Sequence, residues 1–258
     1  MILVAEDNET NQKVILRQLA LSGFAADVVG NGRFALEYWQ SGDYALLLTD
    51  LHMPEMDGYQ LTAAIRAAEL GGRHIPIVAL TANALKSEAE RCREAGMDDY
   101  LSKPVRLTDL QATLEKWLPA AEPAPVKPMP DGETNTASVK LSATSTRPVD
   151  VNILKALVGD DPVVIREFLH DFRCSAANTA AELKSACHNG QPEQAGALAH
   201  KLKSSARSVG ALALGELCAA MEQAGKSCDT KSLAVLLPKF VTEMTIVDDY
   251  LSSLWKTG

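Results

Sequence analysis

The sequence predicts an α/β doubly wound, five-stranded parallel sheet followed by an all-α four-helix bundle. Three observations point there. Up to residue 118, short apolar runs alternate strictly with amphipathic stretches, the pattern of a parallel sheet covered by helices on both faces. From about Asp150 to the end the apolar periodicity is helical, with short turns between segments, as in an antiparallel bundle. Between them lies a stretch rich in Pro, Ala, Ser and Thr and poor in large apolar residues, which reads as a semi-extended, mobile linker. The predicted organisation is therefore a domain over 1–118, a linker over 119–149 and a second domain over 150–258.

Each element follows from local pattern. ILVAED, ADVVG, YALLLTD, IPIVALTA and DYLSKPV read as five strands, and near-continuous apolar runs such as ALLL suit burial on both sides. Residues 10–22, 32–42, 58–70, 86–95 and 107–118 carry helical periodicity. In the second domain, Asp160, Asp161 and Pro162 start a helix, with a capping acid before a Pro in the first turn. Gly190, Gln191 and Pro192 open the next helix in a similar way. Gly210 and Gly225 are expected to punctuate later segments, Pro238 to start or kink the last helix, and a short helix to lead the bundle.

Composition excludes several classes. The 258 residues are 47% hydrophobic, enough for packed cores and too much for a disordered chain. A net charge of −8 argues against wholesale binding of nucleic acid or an anionic membrane. No uninterrupted apolar run approaches the ~20 residues that a membrane span needs. The N-terminal MILVAEDN has no basic lead and does not read as a signal peptide, while its abrupt entry into a strand hints at a piece of a longer chain. Cys92, Cys174, Cys187, Cys218 and Cys228 are an odd number without a C-x-x-C pair, which suits a reducing, cytoplasmic setting better than disulfides or zinc.

The chemistry of the first domain gathers at strand ends. The first strand ends in Glu6 and Asp7 and the third in Asp50. In a doubly wound sheet, ligands bind beyond the C-terminal ends of the strands, at the switch in strand order. If those two strands are neighbours, three carboxylates crowd one crevice, and like charges that close need a cation or a proton between them. Oxygen ligands without imidazole or thiolate favour Mg²⁺. Thr81 ends the fourth strand and Lys103 the fifth, bringing a hydroxyl and an ammonium to the same rim. A carboxylate nucleophile, a hard metal, a hydroxyl and a lysine are what phosphoryl transfer to an aspartate requires.

Residues 1–118 resemble, along their whole length, the receiver domain of two-component signalling, a flavodoxin-like fold. The motifs are AEDNETN (5–11), LLLTDLHMPEMDG (46–58), IPIVALTANA (75–84) and DDYLSKPV (98–105). The resemblance implies that Asp50 is the phosphoacceptor and that Glu6 and Asp7 hold Mg²⁺ with it, the backbone carbonyl of His52 completing the protein ligands. It also implies that Thr81 and Lys103 contact the phosphoryl oxygens and that Tyr100 is the switch aromatic, its ring following Thr81 toward the phosphate. Glu6 stands where many members carry Asp. The imidazole of His52 is expected to point outward.

The second domain carries one motif of interest, AHKLKSSAR. Ala195, Leu198, Ala199, Leu202, Ala206 and Val209 recur at helical spacing as a buried stripe. At about 100° per residue, His200 lies roughly 200° from Leu198 and from Leu202, so it points away from that stripe. Lys203, Ser204 and Arg207 share its face, which is expected to be open to solvent and suited to docking something anionic. Residues 150–258 resemble a histidine phosphotransfer domain through AHKLKSSARSVGA (199–211), with Ser204 where the usual His-x-Leu-Lys-Gly-Ser-Ala pattern has glycine. The resemblance implies that His200 is the phosphoacceptor, that Lys203 attracts the incoming phosphoryl group, and that the hydroxyl of Ser204 or Ser205 bonds it. His170 and His188 lack the flanking pattern, and with His52 and His74 elsewhere no zinc constellation is seen.

Together the resemblances imply a cytoplasmic receiver–phosphotransfer module, the C-terminal part of a hybrid sensor histidine kinase. Phosphate is expected to pass from a kinase-core histidine to Asp50, then to His200, then to the aspartate of a downstream response regulator. Nothing in the chain resembles an ATP-binding kinase core, so it is not expected to consume ATP. Two alternatives stay open: an aspartyl-phosphate phosphatase, whose usual D-x-D on the first strand is absent, and a non-catalytic receiver-like scaffold, against which the Asp50, Thr81 and Lys103 set argues. Cis versus trans transfer is not decided by the sequence.

Overall fold

The computed structural model describes residues 1–69, 74–82, 86–118 and 147–256. The first unit runs β1 (Ile2–Ala5), α1 (Glu9–Leu21), β2 (Ala26–Val29), α2 (Gly32–Ser41), β3 (Leu46–Asp50), α3 (Gly58–Ala68), β4 (Ile77–Thr81), α4 (Lys86–Glu94), β5 (Asp99–Ser102) and α5 (Leu107–Trp117). The five strands form one sheet in the order β2-β1-β3-β4-β5, every pair parallel. Alternate residues feed separate cores: Leu3, Ala5, Leu47, Ile77 and Ala79 on one face, Ile2, Val4, Leu46, Leu48, Val78 and Leu80 on the other. That period of two, with both faces apolar, is why the strands read as nearly continuous hydrophobic runs.

The turns that shape the rim are fixed by small polar residues. Asn8 caps α1, its side chain accepting from the Asn11 amide at 3.1 Å. Asp57 and Gln60 form a reciprocal capping box at the start of α3. Gly58 follows Asp57 because a Cβ there would meet the Asp50 carbonyl oxygen at 2.3 Å. The backbone of α3 therefore sits directly against the strand end that carries Asp50.

The second unit comprises α6 (Val151–Val158), α7 (Pro162–His188), α8 (Pro192–Ser208), α9 (Leu212–Lys226) and α10 (Thr230–Lys256). Asp161 caps α7 ahead of Pro162, accepting from the Val163 amide at 2.9 Å. α7 to α10 form the bundle around Phe172, Leu202, Leu214, Met221 and Phe240, with α6 leading it as expected. Two readings change. Gly225 does not break a segment: it lies inside α9, where a Cβ would meet Cα of Gly196 at 2.5 Å, so the glycine lets α8 and α9 touch backbone to backbone. Pro238 does not start the last helix, which begins at Thr230 and runs through it. Most of the predicted linker, residues 119–146, lies outside the described residues.

Candidate functional site

The switch in strand order falls between β1 and β3, which pair with Ala5 opposite Thr49. Glu6 and Asp7, just past β1, thus meet Asp50 at the end of β3: one oxygen from each of these three carboxylates lies within 4.8 Å of the others. Thr81 ends β4 and is buried. Lys103 follows β5 and its amide bonds the Thr81 carbonyl at 2.7 Å, which aims the side chain into the rim. There Nζ donates to Glu6 Oε2 at 2.5 Å and to Asp50 Oδ2 at 2.5 Å. The other Asp50 oxygen accepts from the His52 amide at 3.2 Å. Tyr100 on β5 is half-buried and packs against the same core face as Ala79.

This rim is electrostatically loaded. Burial, countered by Lys103 and reinforced by Asp50, pushes the Glu6 carboxyl up to about 7. Burial and Asp50 also raise Asp7. Burial works against the ammonium of Lys103, but Asp50 and Glu6 outweigh it and hold its value above the ordinary range. Three carboxylates set against one ammonium leave the cluster negative. Its all-oxygen donor set and close spacing are compatible with a hard divalent cation.

The bundle face lies over this rim, contrary to the expectation of open solvent. The His200 side chain on α8 is only 16% exposed, because helical periodicity turns it from its own core straight toward the first unit. The His52 side chain points outward and is exposed, as expected, and on that outer side its ring meets the His200 ring at a centroid distance of 5.1 Å and a tilt of 57°. Burial, with the charge of His200, lowers the His52 value. His200 Nδ1 is bonded to Glu222 Oε1 of α9 at 2.9 Å. Lys203 donates to Glu222 Oε2 at 2.5 Å, and Lys226 to Oε1 at 2.6 Å. Burial alone would raise Glu222, but the bonds from His200, Lys203 and Lys226 hold its carboxyl well below the usual range.

The structure therefore gathers Glu6, Asp7, Asp50, Thr81 and Lys103 at one rim and faces it with His200. Ser204 also reaches that interface, whereas Ser205 is buried with its hydroxyl bonded to the Leu202 carbonyl at 3.1 Å. Lys203 is engaged with Glu222 rather than extended over the surface. Sequence reasoning missed Glu222. Its signal was present: with Gly215, Cys218 and Gly225 it occupies the buried stripe of α9, and a carboxylate on such a stripe needs partners.

Fold and site define a phosphorelay-type architecture, a receiver-like acidic pocket beside a histidine-bearing bundle. The chain matches the family described as "Response regulator receiver domain" over residues 2–115 and the "Hpt domain" over residues 167–254. It carries a receiver domain followed by an Hpt domain. It is similar to the virulence sensor protein BvgS of Bordetella pertussis, 31% identical over 241 residues, which cover 90% of this chain and 19% of that protein. It is also similar to the hybrid signal transduction protein dokA of Dictyostelium discoideum, 50% identical over 121 residues, 47% of this chain and 7% of that protein. Among solved structures, it resembles the receiver domain of the sensor histidine kinase PA1611 from Pseudomonas aeruginosa PAO1, described with a magnesium ion in its active-site cleft. There the identity is 42%, the coverage 46% of this chain and 97% of that one, and the TM-score 0.43. The chain thus spans less than a fifth of the length of these two curated relatives. Among the described residues no helix is long and apolar enough to cross a membrane.

Proposed function

We propose that this chain relays phosphoryl groups, in the cytoplasm, as the C-terminal part of a hybrid sensor histidine kinase. In this reading Asp50 receives phosphate from a kinase-core histidine, His200 takes it from Asp50, and the aspartate of a separate response regulator takes it from His200. The observation that supports the reading is that the His200 ring stands 5.1 Å from the ring of His52, two residues past Asp50, so the histidine face of the bundle lies over the acidic rim.

The residues divide the work as follows. Glu6, Asp7 and Asp50, with the His52 carbonyl, would hold Mg²⁺, whose charge would neutralise the oxygens of the transferring group. An Asp50 oxygen attacks phosphorus in line with the donor nitrogen, whose bond to phosphorus breaks. The Lys103 ammonium and the Thr81 hydroxyl bind the phosphoryl oxygens, and Tyr100 follows Thr81 as the switch. With Nδ1 donating to Glu222, the neutral ring would carry its lone pair on Nε2. That nitrogen attacks next: the N–P bond forms as the O–P bond breaks, and the electron pair returns to the Asp50 carboxylate. Lys203 and Ser204 stand beside the path and assist the incoming group.

The test is to label the purified chain with acetyl phosphate and Mg²⁺, beside Asp50→Ala and His200→Gln. Label on both sites in the wild type, with the acid-labile, base-stable histidine signal lost in Asp50→Ala, is expected. No label on Asp50 despite bound Mg²⁺ would overturn the reading.

A further inference from the structure

The first unit grips the bundle through α1, along a line that runs beside the reacting groups and meets them at Asn11. Val14 is 4% exposed and belongs to the apolar cluster of the bundle, with Leu154, Leu202 and Phe172, rather than to either core of the sheet. Asn8 Nδ2 donates to the Lys201 carbonyl at 3.0 Å. Asn11 joins both sides: its Nδ2 donates to Glu6 Oε1 at 3.0 Å and to Ser204 Oγ at 2.9 Å, and its Oδ1 accepts from Ser208 Oγ at 3.2 Å. Lys13 pairs with Asp171 of α7. α6 touches α1 and α5 of the sheet unit as well as α7 and α8 of the bundle. The last helix before residues 119–146 and the first one after them are therefore anchored side by side.

Two consequences follow from these contacts. With Leu118 and Arg147 leaving and entering at adjacent helices, the receiver can seat on the bundle of its own chain without reaching across another. His200, moreover, has a single nitrogen to offer, because Nδ1 is committed to Glu222 at 2.9 Å. One approach to one nitrogen admits one aspartate at a time. We infer that the receiver docks in cis on its own Hpt face through Val14, Asn8, Asn11 and Lys13, and that this docking shuts out any external receiver until it is released. The inference rests on the phosphorelay reading above and adds to it an order of events: transfer to His200 is intramolecular, and onward transfer requires α1 to leave α8.

Val14→Asp is the discriminating variant, since Val14 contributes to neither core of the sheet unit. In the full chain with acetyl phosphate and Mg²⁺, Asp50 should label at the wild-type rate. First-order transfer to His200 should fall at least tenfold. The external route is read by mixing two full chains: His200→Gln, labelled on Asp50, as donor, and Asp50→Ala as acceptor. Adding Val14→Asp to the acceptor alone should speed this intermolecular transfer at least threefold by uncovering His200. Misfolding would slow both routes, and circular dichroism of each variant checks it. A wild-type rate proportional to chain concentration, or equal slowing of both routes by Val14→Asp in a folded chain, would overturn the cis inference. Absence of His200 label in the wild type at every concentration would instead reject the relay reading beneath it.

Discussion

Glu222 offers the sharpest test of how the histidine is prepared. Replacing it with Gln keeps the shape and an oxygen for His200 Nδ1, now 2.9 Å from Glu222 Oε1, but removes the negative charge. As Nε2 forms its bond to phosphorus, the ring gains positive charge, so a charged acceptor at Nδ1 stabilises the transition state more than the ground state. A hydrogen bond to a charged group contributes about 1.5–3 kcal/mol and a neutral one about 0.5–1.5 kcal/mol. The difference, about 1–1.5 kcal/mol, corresponds to roughly 5- to 15-fold slower transfer from Asp50 to His200. Rapid-quench labelling of the full chain, resolved into acid-labile and base-labile phosphate, reads that rate. A Glu222→Gln rate within twofold of wild type, in a folded protein, would refute the argument. Stability supplies a second readout. Because the folded value of Glu222 lies below its ordinary 4.5, its contribution is fully present above pH 4.5 and is lost as pH falls below it. Glu222→Gln should therefore be less stable than wild type at neutral pH, by an amount that shrinks as pH falls below 4.5, and its acid unfolding should begin at a higher pH than that of wild type.

Other expectations concern the rim and the bundle. Glu6, raised to about 7 against an ordinary 4.5, makes the metal-free protein lose about 3 kcal/mol of stability as pH rises through that window. A divalent cation must displace the same proton, so Mg²⁺ affinity followed by calorimetry should fall roughly tenfold between pH 8 and pH 6. A flat profile would remove Glu6 from the metal site. Lys103→Met strips the ammonium from between Glu6 and Asp50, and the metal-free variant should be about 3–5 kcal/mol less stable at pH 8 in denaturant titrations. Saturating Mg²⁺ should restore part of that loss, and no restoration would argue against a cation at this rim. Gly225→Ala forces a methyl group against Gly196 and should cost about 1–3 kcal/mol, seen as a lower Tm for the bundle. An unchanged Tm would mean that α8 and α9 separate freely.

The sheet and the rim were legible because strand period and strand ends are local facts. Alternation of Ile2, Leu3, Val4 and Ala5 between two cores, and an acid or hydroxyl at the end of each of β1, β3 and β4, follow from the order of the chain alone. Periodicity was equally right that His200 turns from its own core, but it cannot say what covers the other side. That cover is the receiver, whose contacts with α8 join residues 193 or more positions apart. Glu222 escaped for a related reason: a carboxylate on a buried stripe signals that partners exist without naming His200, Lys203 and Lys226. Gly225 was misread because glycine marks either a turn or a close helix contact, and only the position of Gly196 decides between them.

The two halves meet with opposite charge, and that bears on how a relay can turn over. The rim presents Glu6, Asp7 and Asp50 around Lys103, while the opposing face carries His200, Lys201, Lys203 and Lys226 around Glu222. The influence crosses the gap: Lys201 and His200 both act to lower Asp7, against the burial that raises it. Such attraction orients an approach and is screened beyond about 8 Å at physiological salt, so it guides without gluing. The specific contacts are of the same kind. Each neutral bond made by Asn8 and Asn11 contributes about 0.5–1.5 kcal/mol net. The half-exposed Lys13–Asp171 pair contributes at most about 1 kcal/mol. Among the described residues, Val14 is the one side chain of the sheet unit in the bundle's apolar cluster, and it is small. Under the proposed function, a histidine that must meet one aspartate to be loaded and another to be unloaded would be poorly served by a tight seal. An interface of exchangeable polar bonds, held at high local concentration by the covalent connection, closes quickly and opens readily. In the proposed relay, the weakness of the individual contacts would therefore let one histidine serve both transfers.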